Sequence, residues 1–300
     1  MDYIKGLYRR LKNSDSLAAF LFLLPFTLIY IAFLIYPAIR GFYMSLHKWT
    51  IIRKMDFIKF DNYTRLFNNP SFWGAVRNTL FFVAVSTPAI VIFGLILALI
   101  CNSKLKGNIV LKTTFFLPYV LSVSIISTVM VYFFQTHSGF INTFLVNIGI
   151  PRVDWLGSRP LAWFVLVFAT LWWTVGFNMI LFLSSLQDIP ESYYEAARVD
   201  GASRSVIFWK ITLPLLEPIT WTIVLLQIIF SAKVFAQVRL ITGGGPGSST
   251  RSLVQYLYQE GFSKNNLGYA SAISVVFLVA LMIFSIVFQY VKNRRLENHG

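Results

Sequence analysis

Long apolar runs separated by short polar stretches dominate the chain from near its start to near its end. A helix crossing the hydrocarbon core needs about 20 mainly apolar residues. Six stretches meet that length, at 17–39, 78–101, 113–134, 161–185, 215–236 and 269–290. The pattern predicts an all-α polytopic membrane protein with six transmembrane helices. Lys5, Arg9, Arg10 and Lys12 precede the first run, as in a signal peptide. That run is longer than an h-region and no small-x-small cleavage site follows it, so it reads as an uncleaved span. Pro25 and Pro37 are its expected kink sites.

The domain order that follows is a cytoplasmic N-terminus over 1–16, a first span over 17–39 and an extracytoplasmic loop over 40–77. A five-helix transmembrane domain over 78–290 then carries a polar segment at 190–214, and a tail occupies 291–300. Six spans return both termini to one side. Lys and Arg are almost evenly divided between the two sides. Those on the side of the termini lie in the shorter connections, which the positive-inside rule weighs most. Both termini and residues 186–214 are therefore expected in the cytoplasm.

The external connections differ in kind. Residues 40–77 are long enough to pack as a small lobe. Residues 135–160, with Gly139, Gly149, Pro151 and Gly157, predict irregular or short helical structure. The stretch "TGGGPG" at 242–247 demands turns and positive φ. Asn62-Tyr63-Thr64 matches a glycosylation sequon, read as a chance match in a chain of bacterial character.

Composition sharpens this picture. The 300 residues are 56% hydrophobic and 13% charged, whereas soluble domains are about half apolar and about a quarter charged. The 29 Phe and 8 Trp suit a chain solvated by lipid. A net charge of +14 would suggest nucleic acid in a soluble protein. Here the bases flank apolar runs, so the lipid bilayer and its anionic headgroups are the expected partner, with no nucleic acid. Cys101 is the single cysteine, which excludes a disulfide framework and a thiolate metal site. His47, His137 and His299 have no ligand-like spacing and read as solvated residues. No phosphate-binding glycine loop ending in Lys-Ser or Lys-Thr occurs. Any nucleotide that drives this protein binds to another chain.

The segment "EAARVDGASRSVIFWKITLPLLEP" at 195–218 is too long and too ordered for a simple connection. Pro190 and the early Glu191 and Glu195 suit a helix start. Gly201 supplies a C-cap or tight turn, Ser203 an N-cap for a short helix through about Trp209, and Pro214 leads into the fifth span. Ala196 and Ala197 leave a shallow surface, while Tyr193, Tyr194, Ile207 and Phe208 supply apolar grip. By itself the segment reads as an amphipathic interfacial element, which could equally lie on headgroups.

Glu195-Ala196-Ala197, then Asp200-Gly201, Ile211 and Leu213-Pro214, resembles the EAA loop of ABC importer permeases. In that family the loop forms a coupling helix seated in a groove of the ATP-binding subunit. "LITGGGPGSSTRSLVQYLYQEGFSKNNLGYASAISVV" from Leu240, "FDNYTRLFNNPSFWGAVRNTLFF" at 60–82 and "FFLPYVLS" at 115–122 are similar to one carbohydrate branch. That branch is the maltose and glycerol-3-phosphate type, and the similarity is to the first member of its permease pair. The resemblance is to the shorter six-span members, expected without the extra N-terminal spans and large external domain of the maltose member. The resemblance implies a type I importer fold and a heterodimer with a second EAA-loop permease. It also implies two cytoplasmic ATP-binding subunits, an extracytoplasmic solute-binding protein and a sugar substrate. ATP and Mg would reside on the partner ATPase, with no cofactor on this chain.

Candidate positions for the solute come from helical spacing. Thr170, Trp173, Thr174 and Phe177 share one face of the fourth span, and Gln227, Phe230, Ser231 and Val234 share one face of the fifth. Mid-span Gln, Ser and Thr are costly against lipid and face the bundle or a cavity. Aromatic faces with hydrogen-bonding groups suit a sugar, but the same residues also pack helices together. Trp172 and Asn178 fall on a different face. Lys233 either snorkels outward or meets a carboxylate or phosphate group, and Glu217 reaches interfacial water. A secondary transporter would show membrane-embedded carboxylates or inverted repeats, and a membrane enzyme a cluster of His, Cys, Asp or Glu. Neither pattern is present apart from Glu217. An ABC permease for a non-sugar solute remains the alternative.

Overall fold

A computed structural model describes residues 15–103 and 107–297. The basic residues through Lys12, together with Lys104, Lys106 and His299, lie outside the described residues. The chain divides into two compact units, one running through Leu66 with Glu260–Phe277, the other Phe67–Gln259 with the residues from Leu278 onward.

In the first unit, α1 (Asp15–Tyr30) passes through a π-helical turn at Ile31–Ile35 into α2 (Tyr36–Ser45). The stretch Ala19–Ser45 is one helix of membrane-spanning length, so the first span continues past residue 39. Pro37 follows the wide turn, where an inserted residue relieves the clash of its ring with the backbone one turn back. The strands β1 (His47–Trp49) and β2 (Lys54–Phe57) pair antiparallel, with His47 opposite Phe57. They lead into α3 (Asp61–Phe67). Buried Asn62 donates from Nδ2 to the carbonyls of Ser45 (2.7 Å) and His47 (3.1 Å). An amide committed in this way has no freedom to carry a glycan. Asn265 Oδ1 accepts from the Ile51 amide at 2.7 Å, and the Arg65 guanidinium lies 4.5 Å from the Tyr269 ring centroid. The loop over 40–66 is thus an ordered lobe. His47 is a correction: it is buried, with Nδ1 2.8 Å from the Tyr43 carbonyl and its ring against Tyr43 and Phe57. An apolar lobe draws in an imidazole whose polar edge it can satisfy.

In the second unit, α4 (Pro70–Asn102) starts well before residue 78. Asn69 accepts from the Ser71 amide at 2.9 Å, and Pro70 supplies the first helical residue. The third predicted span is not one straight helix. It is α5 (Asn108–Val120) and α6 (Val123–Phe134), bent by 100°. Leu121 and Ser122 are extended, and the Ser122 hydroxyl starts α6 by accepting from the Ile125 amide. After α7 (Phe140–Asn147), α8 (Arg159–Gln187) forms the centre of the unit. The polar segment holds α9 (Glu191–Val199), α10 (Arg204–Ile207), a π turn at Phe208–Thr212 and α11 (Leu213–Leu215). The second short helix therefore runs beyond Trp209 to Leu215, then bends by 63° into α12 (Glu217–Ala232). Pro218 explains the bend, since its ring would strike the Pro214 carbonyl in a straight helix. The fifth span is correspondingly shorter than 215–236. The last helices are α13 (Leu253–Tyr258) and α14 (Leu267–Glu297). Among the described residues, four helices alone are long and apolar enough to cross a membrane, and up to six spans result when each bent pair counts as one.

Gly176 lets α5 and α8 touch backbone to backbone. A Cβ there would fall inside the van der Waals radius of the Phe115 carbonyl and 2.7 Å from Phe116 Cα. Small residues allow this close approach between membrane helices. Around it, Ala98, Met179, Phe182, Leu183, Leu216 and Ile223 form one buried cluster, and Phe82, Met130, Trp163, Leu166 and Val238 belong to another. Overpacking costs about 1–3 kcal/mol, and the obstruction at Gly176 is backbone. Gly176→Leu should therefore lower the yield of monodisperse, membrane-inserted protein by about tenfold, since ~1.4 kcal/mol is one decade. Wild-type yield and melting temperature in that variant would contradict the packing.

Candidate functional site

The polar residues of α8 and α12 form one connected chain of hydrogen bonds. Thr170 and Thr174 are buried and return their hydroxyls to the carbonyls of Leu166 (2.9 Å) and Thr170 (2.8 Å). Asn178, one turn further, donates from Nδ2 to the Thr174 carbonyl at 3.0 Å and to Gln227 Oε1 at 3.3 Å. Gln227 Nε2 then donates to Ser231 Oγ at 3.0 Å, and Ser86 of α4 donates to the same oxygen at 3.1 Å. Three helices are joined this way through side chains that lipid would not solvate. Low dielectric strengthens such a network when all members are satisfied.

Aromatic rings flank the network. Phe177 stacks on Tyr119 with ring centroids 4.9 Å apart and an interplanar angle of 16°. Trp173 and Phe230 lie 5.7 Å apart, tilted by 54°. Trp173 also donates from Nε1 to the Leu121 carbonyl at 3.2 Å, which satisfies the backbone freed where α5 and α6 break. Two clefts open here. One, of about 240 Å³, is lined by residues including Tyr119, Thr174, Phe177, Asn178, Gln227 and Phe230. The other, of about 280 Å³, is lined by residues including Thr170, Trp173, Phe230, Ser231 and Gln237. Lys233 borders both.

All eight positions picked by helical spacing, Thr170, Trp173, Thr174, Phe177, Gln227, Phe230, Ser231 and Val234, thus line one cleft or the other. Asn178, set on a different face, in fact links the two helices. Long polar side chains reach around a helix further than a spacing rule allows. Trp172 packs instead against the cluster around Phe82 and Trp163. Tyr119 and the Leu121 carbonyl were missed because they depend on the break, whose signal was the Pro118…Ser122 pair in "FFLPYVLS". Lys233 is not inside a helix; it is the residue that ends α12. Glu217 does not simply reach water. It pairs with Arg295 at 3.2 Å and accepts from Trp221 Nε1 at 3.1 Å. Lys292 Nζ reaches Thr222 Oγ1 at 3.1 Å, so the end of α14 clamps the start of α12.

The polar segment forms a second candidate surface. Gly201 has φ +74° and turns the chain between α9 and α10, with the Ala202 amide donating to the Ala197 carbonyl at 2.9 Å. Ser203 caps α10 by accepting from the Val206 amide. Arg198 pairs with Glu191 at 2.5 Å and donates from Nε to the Tyr194 carbonyl. Glu195, Ala196 and Asp200 are exposed, as is Val199 at 87%. Ala197 differs from expectation: it is 7% exposed and faces the body of the unit. The approachable face of α9 therefore consists of Ser192, Glu195, Ala196 and Val199. Ile211 and Leu213 are half-buried and Pro214 is exposed, and Thr212 Oγ1 reaches Tyr194 Oη at 3.4 Å to tie α9 to the following helix.

Known proteins match this architecture over nearly all of the chain. The probable ABC transporter permease protein YurN of Bacillus subtilis is 33% identical over 279 residues, covering 91% of this chain and 95% of its own length. The trehalose/maltose transport system permease protein MalF of Thermococcus litoralis is 35% identical over 284 residues, covering 94% and 96%. The sulfoquinovosyl glycerol transport system permease protein SmoG of Agrobacterium fabrum is 33% identical over 282 residues, covering 93% and 92%. Among solved structures, a chain of a bacterial ABC transporter involved in the import of the acidic polysaccharide alginate superposes with a TM-score of 0.86. It is 26% identical, and the match covers 96% of this chain and 99% of that one. The family model described as "Binding-protein-dependent transport system inner membrane component" matches residues 68–297. The chain belongs to that family, as a membrane-embedded ABC transporter permease.

Proposed function

We propose that this chain forms half of the transmembrane pathway of an ATP-driven saccharide importer. The observation that carries the reading is the Asn178–Gln227–Ser231–Ser86 relay set between the Tyr119/Phe177 and Trp173/Phe230 ring pairs. Sugars offer apolar C–H faces to rings and hydroxyls to amides, and this site supplies both. The relatives' names point the same way: trehalose/maltose, sulfoquinovosyl glycerol and alginate are all saccharides or sugar derivatives.

The partners follow from the family. A second EAA-loop permease completes the pathway, two cytoplasmic ATP-binding subunits hydrolyse ATP with Mg, and an extracytoplasmic binding protein delivers the sugar. A related transporter has been seen with an alginate pentasaccharide-bound periplasmic protein. This chain itself carries no cofactor and catalyses no covalent step. Both termini and α9 face the cytoplasm.

The mechanism is mechanical. The segment α9–α11 is the direct chain connection between α8 and α12, the two helices that carry the relay. Movement of α9 by a closing ATPase dimer is passed through the Gly201 turn and the bend at Leu216 to Gln227, Phe230 and Ser231. Coupling and solute binding thus separate along the chain, at α9 and at mid-membrane depth.

Losing a hydrogen bond to an uncharged group costs about 0.5–1.5 kcal/mol. Trp173→Ala or Gln227→Ala should then reduce sugar uptake per folded transporter severalfold to about tenfold, with ATPase subunits still co-purifying. Unchanged uptake of every saccharide tested would place the pathway elsewhere.

Gly201→Val should give the opposite pattern, because a β-branched residue at φ +74° is strained. The variant should insert but lose ATPase co-purification and uptake. A cysteine at Ala196, with Cys101 replaced by Ser, should cross-link to the ATPase, and one at Ala197 should react far more slowly. Labelling of Ala196→Cys by impermeant reagents outside intact cells would reverse the orientation.

A further inference from the structure

Lys233 is an exposed cation at the mouth of both clefts. The helix α12 runs 16 residues from Glu217, whose pairing with Arg295 marks one membrane face. At about 1.5 Å per residue its far end lies about 24 Å along, short of the ~30 Å hydrocarbon core. The side chain borders both clefts and has no ion pair among the described residues. No Asp or Glu occurs in 62–153, 155–187 or 218–259, the segments that build the pathway. Of the carboxylates at their edges, Asp154 accepts from Thr136, Glu217 pairs with Arg295 and Glu260 pairs with Lys264, while Asp61 and Asp188 line neither cleft. A second observation points into the same cleft. Gln237, four residues beyond Lys233 across a non-helical break, is only 4% exposed, lines the larger cleft, and leaves its Nε2 amide without a partner.

An ammonium and an unpartnered amide donor on one cleft, in a wall to which this chain brings no carboxylate, together suit an anionic acceptor. We propose that Lys233 and Gln237 form an anion subsite, and that the cargo is a carboxylate-bearing saccharide such as an oligouronide. This rests on the saccharide-pathway reading above and specifies its substrate class. Rings of the cleft would hold the sugar faces while the ammonium receives each carboxylate as it passes. The buried Gln237 amide, left unpaired beside the exposed Lys233 ammonium, would then act as the selectivity device.

The test uses the complete transporter with its binding protein in proteoliposomes and radiolabelled tri-galacturonate, tri-mannuronate, tri-guluronate and maltotriose. Wild-type protein should import at least one uronide, and its uptake should not be matched by the methyl ester of that uronide. Lys233→Gln should lower uronide uptake by about tenfold or more per folded transporter, because hydrogen bonds to charged groups are the strong ones. Lys233→Arg should retain most of it, and Gln237→Ala should lose severalfold. Uptake of maltotriose alone, or uronide uptake within twofold of wild type in Lys233→Gln, would overturn the proposal. Sensitivity of that maltotriose uptake to Trp173→Ala would leave the saccharide pathway standing, so the two failures are distinguishable. Import of none of the four would overturn both.

Discussion

Inside lipid every backbone amide and carbonyl must find a partner within the protein, and the rest of the structure follows from how this is met at two broken helices. A continuous helix satisfies itself, so breaking one at membrane depth frees groups that water cannot reach. At the break between α5 and α6 the Leu121 carbonyl is taken by the Trp173 indole, and the start of α6 is capped by Ser122. Trp173 is therefore both a wall of the cleft and the group that makes the break tolerable. The close approach at Gly176, one turn along α8, holds α5 near enough for that bond to form. Structural support and candidate substrate contact converge on the same turn of helix.

The second break has a different solution. Pro218 cannot continue the helix from Pro214, and the chain bends at Leu216 where Glu217, Trp221, Arg295, Lys292 and Thr222 gather. Charged and aromatic groups that reach water or one another can accommodate a bend near a membrane face. The consequence is a rigid elbow between α9–α11 and α12, anchored by α14. A displacement at the exposed face of α9 cannot be absorbed in loose loop, because Thr212, Tyr194 and the Gly201 turn tie the segment together.

Much of this was legible from residue types. Apolar run length located the membrane-spanning helices, and helical spacing put Trp173, Phe177, Gln227 and Ser231 on the faces that line the clefts. What escaped depended on three-dimensional partners. A run such as 113–134 has one hydropathy whether straight or bent by 100°, and only Pro118 followed by Ser122 marks the difference. Asn178 was underweighted because spacing treats side chains as radial spokes, while its amide reaches sideways to Gln227. His47 and Ala197 were misjudged because burial there is set by a lobe and a docking body that no local pattern encodes.

The relay also sets how the site can work. Asn178, Gln227, Ser231 and Ser86 satisfy one another, so the relay does not carry a row of orphaned donors. A sugar hydroxyl can replace each of these bonds by one of similar strength, so binding exchanges partners at small net free energy. Tight binding would be a fault in a pathway, since the solute must leave as readily as it arrives. Net affinity in such a site comes from the rings, whose stacking is gained on binding and lost on release. Gln237 stands outside the relay with its buried Nε2 unpartnered, beside the exposed ammonium of Lys233. In the proposed anion subsite, discrimination between solutes would therefore be concentrated at the end of α12, beyond the relay.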